Sequence, residues 1–381
     1  MSAKSSKSAQ GRESDDLTYK SYLDLDTLLR AQKPVSTAHD EMMFVILHQT
    51  YELWFKLILF ELDRIQGIFS AGTVADADLR LVSAGLSRSV DIMELLIRQL
   101  DIMETMTPLD FLDFRHVFRS ASGFQSLQFR ELEVRLGLRP EERVGYDGKS
   151  FENFLPGEDR AALHYVMKQA ALIDQVGDWL ARTPFVEMGG FSFWKSYRKA
   201  VVAMIGNDRA AILRNRHMTA ATREMELGKL RNMQAQFDLL FGERKEELPW
   251  RFPKRALQAA LFIHLYRDQP ALQVPFRVLN SLMDLDETLA LWRYRHALMA
   301  QRMLGTKMGS GGSTGHEYLA ATASKHRIFR DLFALSTFLI PRSKLPKLPR
   351  EVADRMAFKY WDEKTAKRSI SSPTSSGKLT G

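Results

Sequence analysis

The chain has 381 residues, 45% of them apolar, enough to bury one large core or two ordinary ones. It has no cysteine, which excludes disulfides, cysteine zinc sites, the usual iron–sulfur clusters and thiolate-held haem; a transition metal would need histidine, carboxylate or a prosthetic group. The net charge of +8 gathers at the C-terminus, where Arg342–Gly381 carries ten Lys/Arg against four Asp/Glu, so it reads as a solvated basic tail rather than a nucleic-acid surface.

In chain order, Met1–Asp16 is polar and lacks the apolar core of a signal peptide; residues 1–15 read as a disordered arm. Leu17–Gln32 has helical spacing and stops before Pro34. Thr37 is placed to cap a long helix from Ala38 to about Phe69, with Asp40 and Glu41 in its first turn. The apolar run Met42–Leu47 is too short to span a bilayer and no other run approaches the length, so a soluble, cytoplasmic chain is expected.

Ala75–Met106 is a second long amphipathic stretch, followed by Phe124–Gly137, Glu158–Ala181 and Phe193–Ile205. Asp208–Phe241 is more charged and reads as peripheral helices, part of an insertion over about 207–253. Arg255–Tyr266 and Val274–Leu304 resume the core pattern. A glycine-rich loop, Gly305–Gly315, precedes a last core helix, Glu317–Leu339. No strand alternation is evident. The expected architecture is an all-α bundle of long helices over 16–341, then a largely disordered tail over 342–381.

Four segments can carry chemistry. Phe44, His48, Tyr51 and Phe55 fall on one helical face, which suits either a core helix with one satisfied histidine or a pocket for a flat ligand with one N–H. His296, with Trp292 four residues before it and Met299 and Met303 after it, suits either a Met-rich core stripe or an axial haem ligand. Gly309-Ser310-Gly311-Gly312-Ser313-Thr314-Gly315 lacks the Lys of a nucleotide loop; it is a surface loop or one that closes over a carboxylate-bearing ligand. Arg115, with Phe111 one turn earlier, can grip a carboxylate or pair with Asp110 or Asp113.

The blocks His48-Gln-Thr-Tyr-Glu-Leu-Trp-Phe-Lys56, Ser122-Gly-Phe-Gln-Ser-Leu-Gln-Phe-Arg130 and Trp292-Arg-Tyr-Arg-His296 resemble the tryptophan 2,3-dioxygenase family. The likeness covers Tyr19–Leu23, Lys33–Asp63, Glu104–Gly137, Ala256–Gly315 and Phe329–Pro341, and the region before Arg255 looks like the longer, animal-type members. It implies a homotetrameric, all-helical enzyme with b-type haem, cleaving the indole C2–C3 bond of L-tryptophan with O2 to N-formyl-L-kynurenine. By the same resemblance His296 is the proximal iron ligand with Trp292 beside it, and His48 the distal residue that meets the indole N–H. Phe44, Phe111 and Phe118 wall the indole, Arg115 binds the substrate carboxylate, and Ser122 and Gly311 lie at the haem. Tyr19 and Tyr22 match tyrosines that enter the pocket from a neighbouring subunit. Ser310 stands where the family usually has threonine, in a loop that holds the substrate ammonium group. Other activities compatible with the same residues are a haem monooxygenase acting on a tryptophan derivative and a non-catalytic haem or tryptophan sensor.

Overall fold

The computed structural model describes residues 17–118, 123–145, 151–242, 250–305 and 315–358. The N-terminal arm and residues 359–381 of the tail lie outside the described residues. The architecture is all-α, as the periodicity implies, with boundaries that tertiary contacts have redrawn.

Leu17–Gln32 is not one helix but two short ones, α1 (Tyr19–Tyr22) and α2 (Leu25–Leu28). Thr18 and Ser21 cap α1 reciprocally. Asp24, at φ 48°, takes the left-handed conformation that separates the two. Neither helix buries a residue.

The long helix α3 (Asp40–Ser70) is not capped by Thr37. His39 occupies the N-cap without a side-chain bond, and the buried Glu41 reaches back to accept from the backbone N–H groups of Val35 and Ser36, each at 2.7 Å. Contrary to the expectation drawn from Met42–Leu47, α3 is long and apolar enough to cross a bilayer. Part of that apolar surface is buried: Ile58, Leu62 and Ile65 are wholly enclosed in the main core, and two carboxylates, Glu41 and Glu61, are buried along the same helix. Next come α4 (Asp76–Met103), α5 (Pro108–Arg115) and α6 (Leu127–Leu136). A 3-10 turn, Gly123–Gln125, takes the place of the expected start of α6, whose cap is Ser126.

The stretch Glu158–Ala181 divides into α7 (Gly157–Val166) and α8 (Leu172–Ala181) without a proline or glycine between them. Gln66 of α3 donates to the Ala170 carbonyl at 3.1 Å, so the break is stabilised from outside the segment. A small antiparallel hairpin that the alternation test missed, β1 (Glu187–Met188) and β2 (Phe191–Ser192), turns on Gly189 and Gly190, both at positive φ.

The insertion boundary expected near 207 falls inside a helix, the first of a helical hairpin rooted in the core. α9 (Phe193–Arg214) begins with Phe193 and Tyr197 fully buried, and α10 (Ala220–Phe241) packs back through Phe237 and Phe241. Residues 243–249 of that insertion lie outside the described residues. Then follow α11 (Lys254–Leu265), α12 (Gln273–Leu304), α13 (Gly315–Lys325), α14 (Arg330–Ala334) and α15 (Arg350–Met356). The last core helix is interrupted after Lys325, where Asp286 of α12 accepts from the Ile328 N–H and the Arg327 guanidinium, each at 2.9 Å. Beyond Pro341 the chain still belongs to the body: α15 buries Val352 and Met356, and the Tyr266 hydroxyl donates to the Pro346 carbonyl at 2.6 Å.

The element that positions the site is α4. Both α3 and α12 lie along it, and α13 covers α12. His48 and His296 therefore stand on separate walls that share one support.

Candidate active site

On the α3 wall, the His48 ring packs on Phe44 one turn earlier, with centroids 4.0 Å apart. Its Nδ1 lies 2.8 Å from the Phe44 carbonyl. A carbonyl only accepts, so Nδ1 carries the proton and Nε2 is left as an acceptor. The ring is accessible to solvent yet closely surrounded by protein, as in a recess; that burial pushes its pKa below the ordinary histidine value, against smaller opposing effects of the Phe44 carbonyl and Glu52. At neutral pH the imidazole is uncharged.

The three phenylalanines named from the resemblance gather beside His48. Phe118 stacks on Phe44 with centroids 4.8 Å apart, and Phe111 lies 5.9 Å from Phe44 and 6.2 Å from Phe118. Sequence reasoning missed the ring that holds the three together. Phe114 is fully buried and meets Phe44, Phe111 and Phe118 edge-on at 5.5–5.7 Å. Its signal was its place between Phe111 and Phe118 in an aromatic-rich turn. Met303 joins this cluster too.

Arg115 is the last residue of α5, half-buried, one turn beyond Phe111. Asp110, one of its possible partners, is committed elsewhere: its carboxylate accepts from the Thr107 hydroxyl and N–H in a capping box at the head of α5. Ser122, Ser310 and Gly311 lie outside the described residues.

On the α12 wall, Trp292 stacks on His296, centroids 5.3 Å apart and planes 29° from parallel. The Nδ1 of His296 is buried without a hydrogen-bond partner. A buried ring nitrogen is usually satisfied, so the Nδ1 of His296 marks a place with room for a further group. Burial, helped by the nearness of His48, pushes the His296 pKa down to about 4. The ring is thus a neutral base with a lone pair to offer, which is what an axial ligand to haem iron requires. Among the described residues no group of three or more His, Cys, Asp or Glu could hold a metal ion, so a metal here would rely on a prosthetic group. The residues present fit haem.

The face that Phe44, His48, Tyr51 and Phe55 share divides its labour. Phe44 and His48 line the recess, whereas Tyr51 and Phe55 are buried against Trp292, at 6.1 and 6.4 Å between centroids. Tyr51 also donates to the Leu96 carbonyl of α4 at 2.6 Å. Tyr19 and Tyr22 are not packed into the site within this chain; both are about three-quarters exposed, at 77% and 74%.

A family model described as tryptophan 2,3-dioxygenase matches residues 3–339. The chain belongs to the tryptophan 2,3-dioxygenase family. It is 48% identical to the tryptophan 2,3-dioxygenase of Bdellovibrio bacteriovorus, over 90% of this chain and 98% of that protein. It is 40% identical to that of Dictyostelium discoideum, over 90% of this chain and 88% of the relative. For the enzyme of Mus musculus the identity is 41%, over 87% and 84%. In this family member the two imidazoles proposed from sequence stand close enough for His48 to depress the titration of His296.

Proposed function

We propose that the chain is a haem-dependent, cytoplasmic dioxygenase that cleaves the indole C2–C3 bond of L-tryptophan with O2 to give N-formyl-L-kynurenine. The observation that carries this reading is the neutral His48, its Nε2 free to accept, set in a box of phenylalanines and near the buried His296. Family membership over nearly the whole chain supports it.

When bound through His296, a b-type haem supplies the O2 chemistry that amino-acid side chains lack. Every other task falls to the chain. Phe44, Phe111 and Phe118 take the indole between apolar surfaces and exclude water from its ring. Indole offers a single N–H, and Nε2 of His48 is the acceptor that fixes which edge enters first. The indole proton is held, not removed, because indole N–H is far too weak an acid for a base whose own pKa is depressed. Arg115, beside the same box, takes the substrate carboxylate with its planar fork. Anchoring both ends of the amino acid orients C2 and C3, and such orientation contributes several kcal/mol to lowering a barrier.

A homotetramer is part of the proposal. Tyr19 and Tyr22 are exposed on short helices that bury nothing, as expected of groups whose partner surface is on another copy. The test is an absorption spectrum of the purified protein, ferric and ferrous, with and without L-tryptophan, followed by product mass. A Soret band that moves on adding L-tryptophan, and a product two oxygen atoms heavier than the substrate, are expected. A product heavier by one oxygen would show a monooxygenase, and binding without turnover a sensor.

A further inference from the structure

The helix α6 is tied by a carboxylate to each of the two walls, and each tie sits about one helical turn from an imidazole. On α3, Glu52 follows His48 by four residues. Its Oε1 accepts from the Ser126 hydroxyl at 2.7 Å and its Oε2 from the Gln128 amide at 2.8 Å; the same amide donates to the Glu52 carbonyl at 2.8 Å. On α12, Arg293 precedes His296 by three residues. It donates to Glu133 of α6 at 2.8 Å and to the His326 carbonyl at 3.2 Å.

Between the two ties runs continuous packing. Phe129, buried on α6, lies 5.4 Å from Phe55 of α3 and 5.0 Å from Trp292 of α12. The guanidinium carbons of Arg130 and Arg293 each sit 5.8 Å from its ring. Trp292 then stacks on His296.

The Glu133 cluster is costly as a source of stability. Its carboxylate is 1% exposed and is bound by Arg130, Arg143 and Arg293; burial alone would raise its pKa, but these arginines hold it well below the usual carboxylate range. Apolar packing in its place would stabilise as much or more. What a buried, directional ion cluster adds is a single allowed register between the helices it joins.

We propose that α6 is a crossbeam that sets the spacing of the His48 and His296 walls, with Gln128–Glu52 and Glu133–Arg293 as its positioning pairs. The inference rests on the functional reading above, since it concerns the gap that reading assigns to haem and substrate.

A double-mutant cycle on the full-length, haem-loaded protein tests it, with Gln128→Leu at one end of α6 and Arg293→Lys at the other. Two quantities are read: the rate of haem transfer to apomyoglobin, and the L-tryptophan Kd from the Soret shift. A crossbeam transmits both ways. Gln128→Leu, on the substrate side, should speed haem loss, and Arg293→Lys, on the haem side, should weaken L-tryptophan, each by about threefold or more. The double variant should depart from the product of the single effects by at least about twofold. Should Arg293→Lys give no folded protein, Arg293→Gln removes the same ion pair and leaves Glu133 bound by Arg130 and Arg143. Variants that lower thermal stability alone, or that act only on their own wall and multiply simply, would overturn the inference and leave the functional reading standing. A wild-type protein with no tryptophan-dependent Soret shift would overturn that reading instead.

Discussion

The Nδ1–H of His48 donates to the carbonyl of Phe44 at 2.8 Å, while the two rings lie 4.0 Å apart. One helical turn thus sets both the tautomer of the imidazole and the first wall of the aromatic box. The acceptor that would meet an indole N–H is presented by the same residue pair that shapes the slot for the indole plane.

His48→Ala should keep haem and lose the hydrogen bond to the indole. A bond of this kind is worth about 0.5–1.5 kcal/mol, so L-tryptophan should bind roughly two- to tenfold more weakly. 1-Methyl-tryptophan, which has no N–H to donate and sets a methyl group against Nε2, should bind the variant no more weakly than wild type. Titrations of the Soret band with the two ligands make the comparison, and equal losses for both would remove His48 from this role.

His296→Ala should fold but fail to hold ordered haem, because the buried neutral ring that offers its lone pair is gone. Haem content by pyridine haemochrome, set against an unchanged far-UV circular dichroism spectrum, checks this. Retention of a normal Soret band would assign the iron to another residue.

Arg115→Ala should weaken L-tryptophan by several kcal/mol, toward the lower part of the roughly 3–5 kcal/mol seen when buried charge pairs are broken, since Arg115 is half-buried. Tryptamine, which has no carboxylate, should bind the variant as well as it binds wild type. Calorimetry on the two ligands separates loss of a charge partner from collapse of the pocket.

Substrate binding should depend on pH through His48. Its folded pKa is depressed by burial, so the neutral, accepting ring persists at and above the ordinary histidine value of 6.5 and is lost only as pH falls below it. Protonation turns Nε2 from acceptor to donor, facing the indole N–H with another N–H. Affinity for L-tryptophan should therefore be level near neutrality and fall in acid, and His48→Ala should flatten the profile. A profile with the same acid limb in the variant would place the titrating group elsewhere.

Phe114→Ala should cost stability as well as binding. The ring is fully buried and braces Phe44, Phe111 and Phe118 from beneath, so its removal should destabilise by about 3–5 kcal/mol. Chemical denaturation measures the first effect. Weaker L-tryptophan binding by the still-folded fraction measures the second.

Helical periodicity was enough to place α3, α4, α11 and α12 to within a few residues, because long amphipathic helices write their buried face into the order of their side chains. Local chemistry likewise marked His48, His296, Arg115 and the phenylalanines as candidates, though each alone suited an ordinary core equally well. What periodicity could not place were the breaks made by distant partners: the α7–α8 interruption held by Gln66, the kink after Lys325 held by Asp286, and the start of α3 held by Glu41 rather than Thr37. Nor could it show that Phe114 carries the aromatic box, or that Glu52 and Glu133 tie α6 to both walls. A hydrogen bond between residues 160 positions apart, as Arg293 and Glu133 are, leaves no local pattern in the chain. Only the packing of the helices decides which side chains meet.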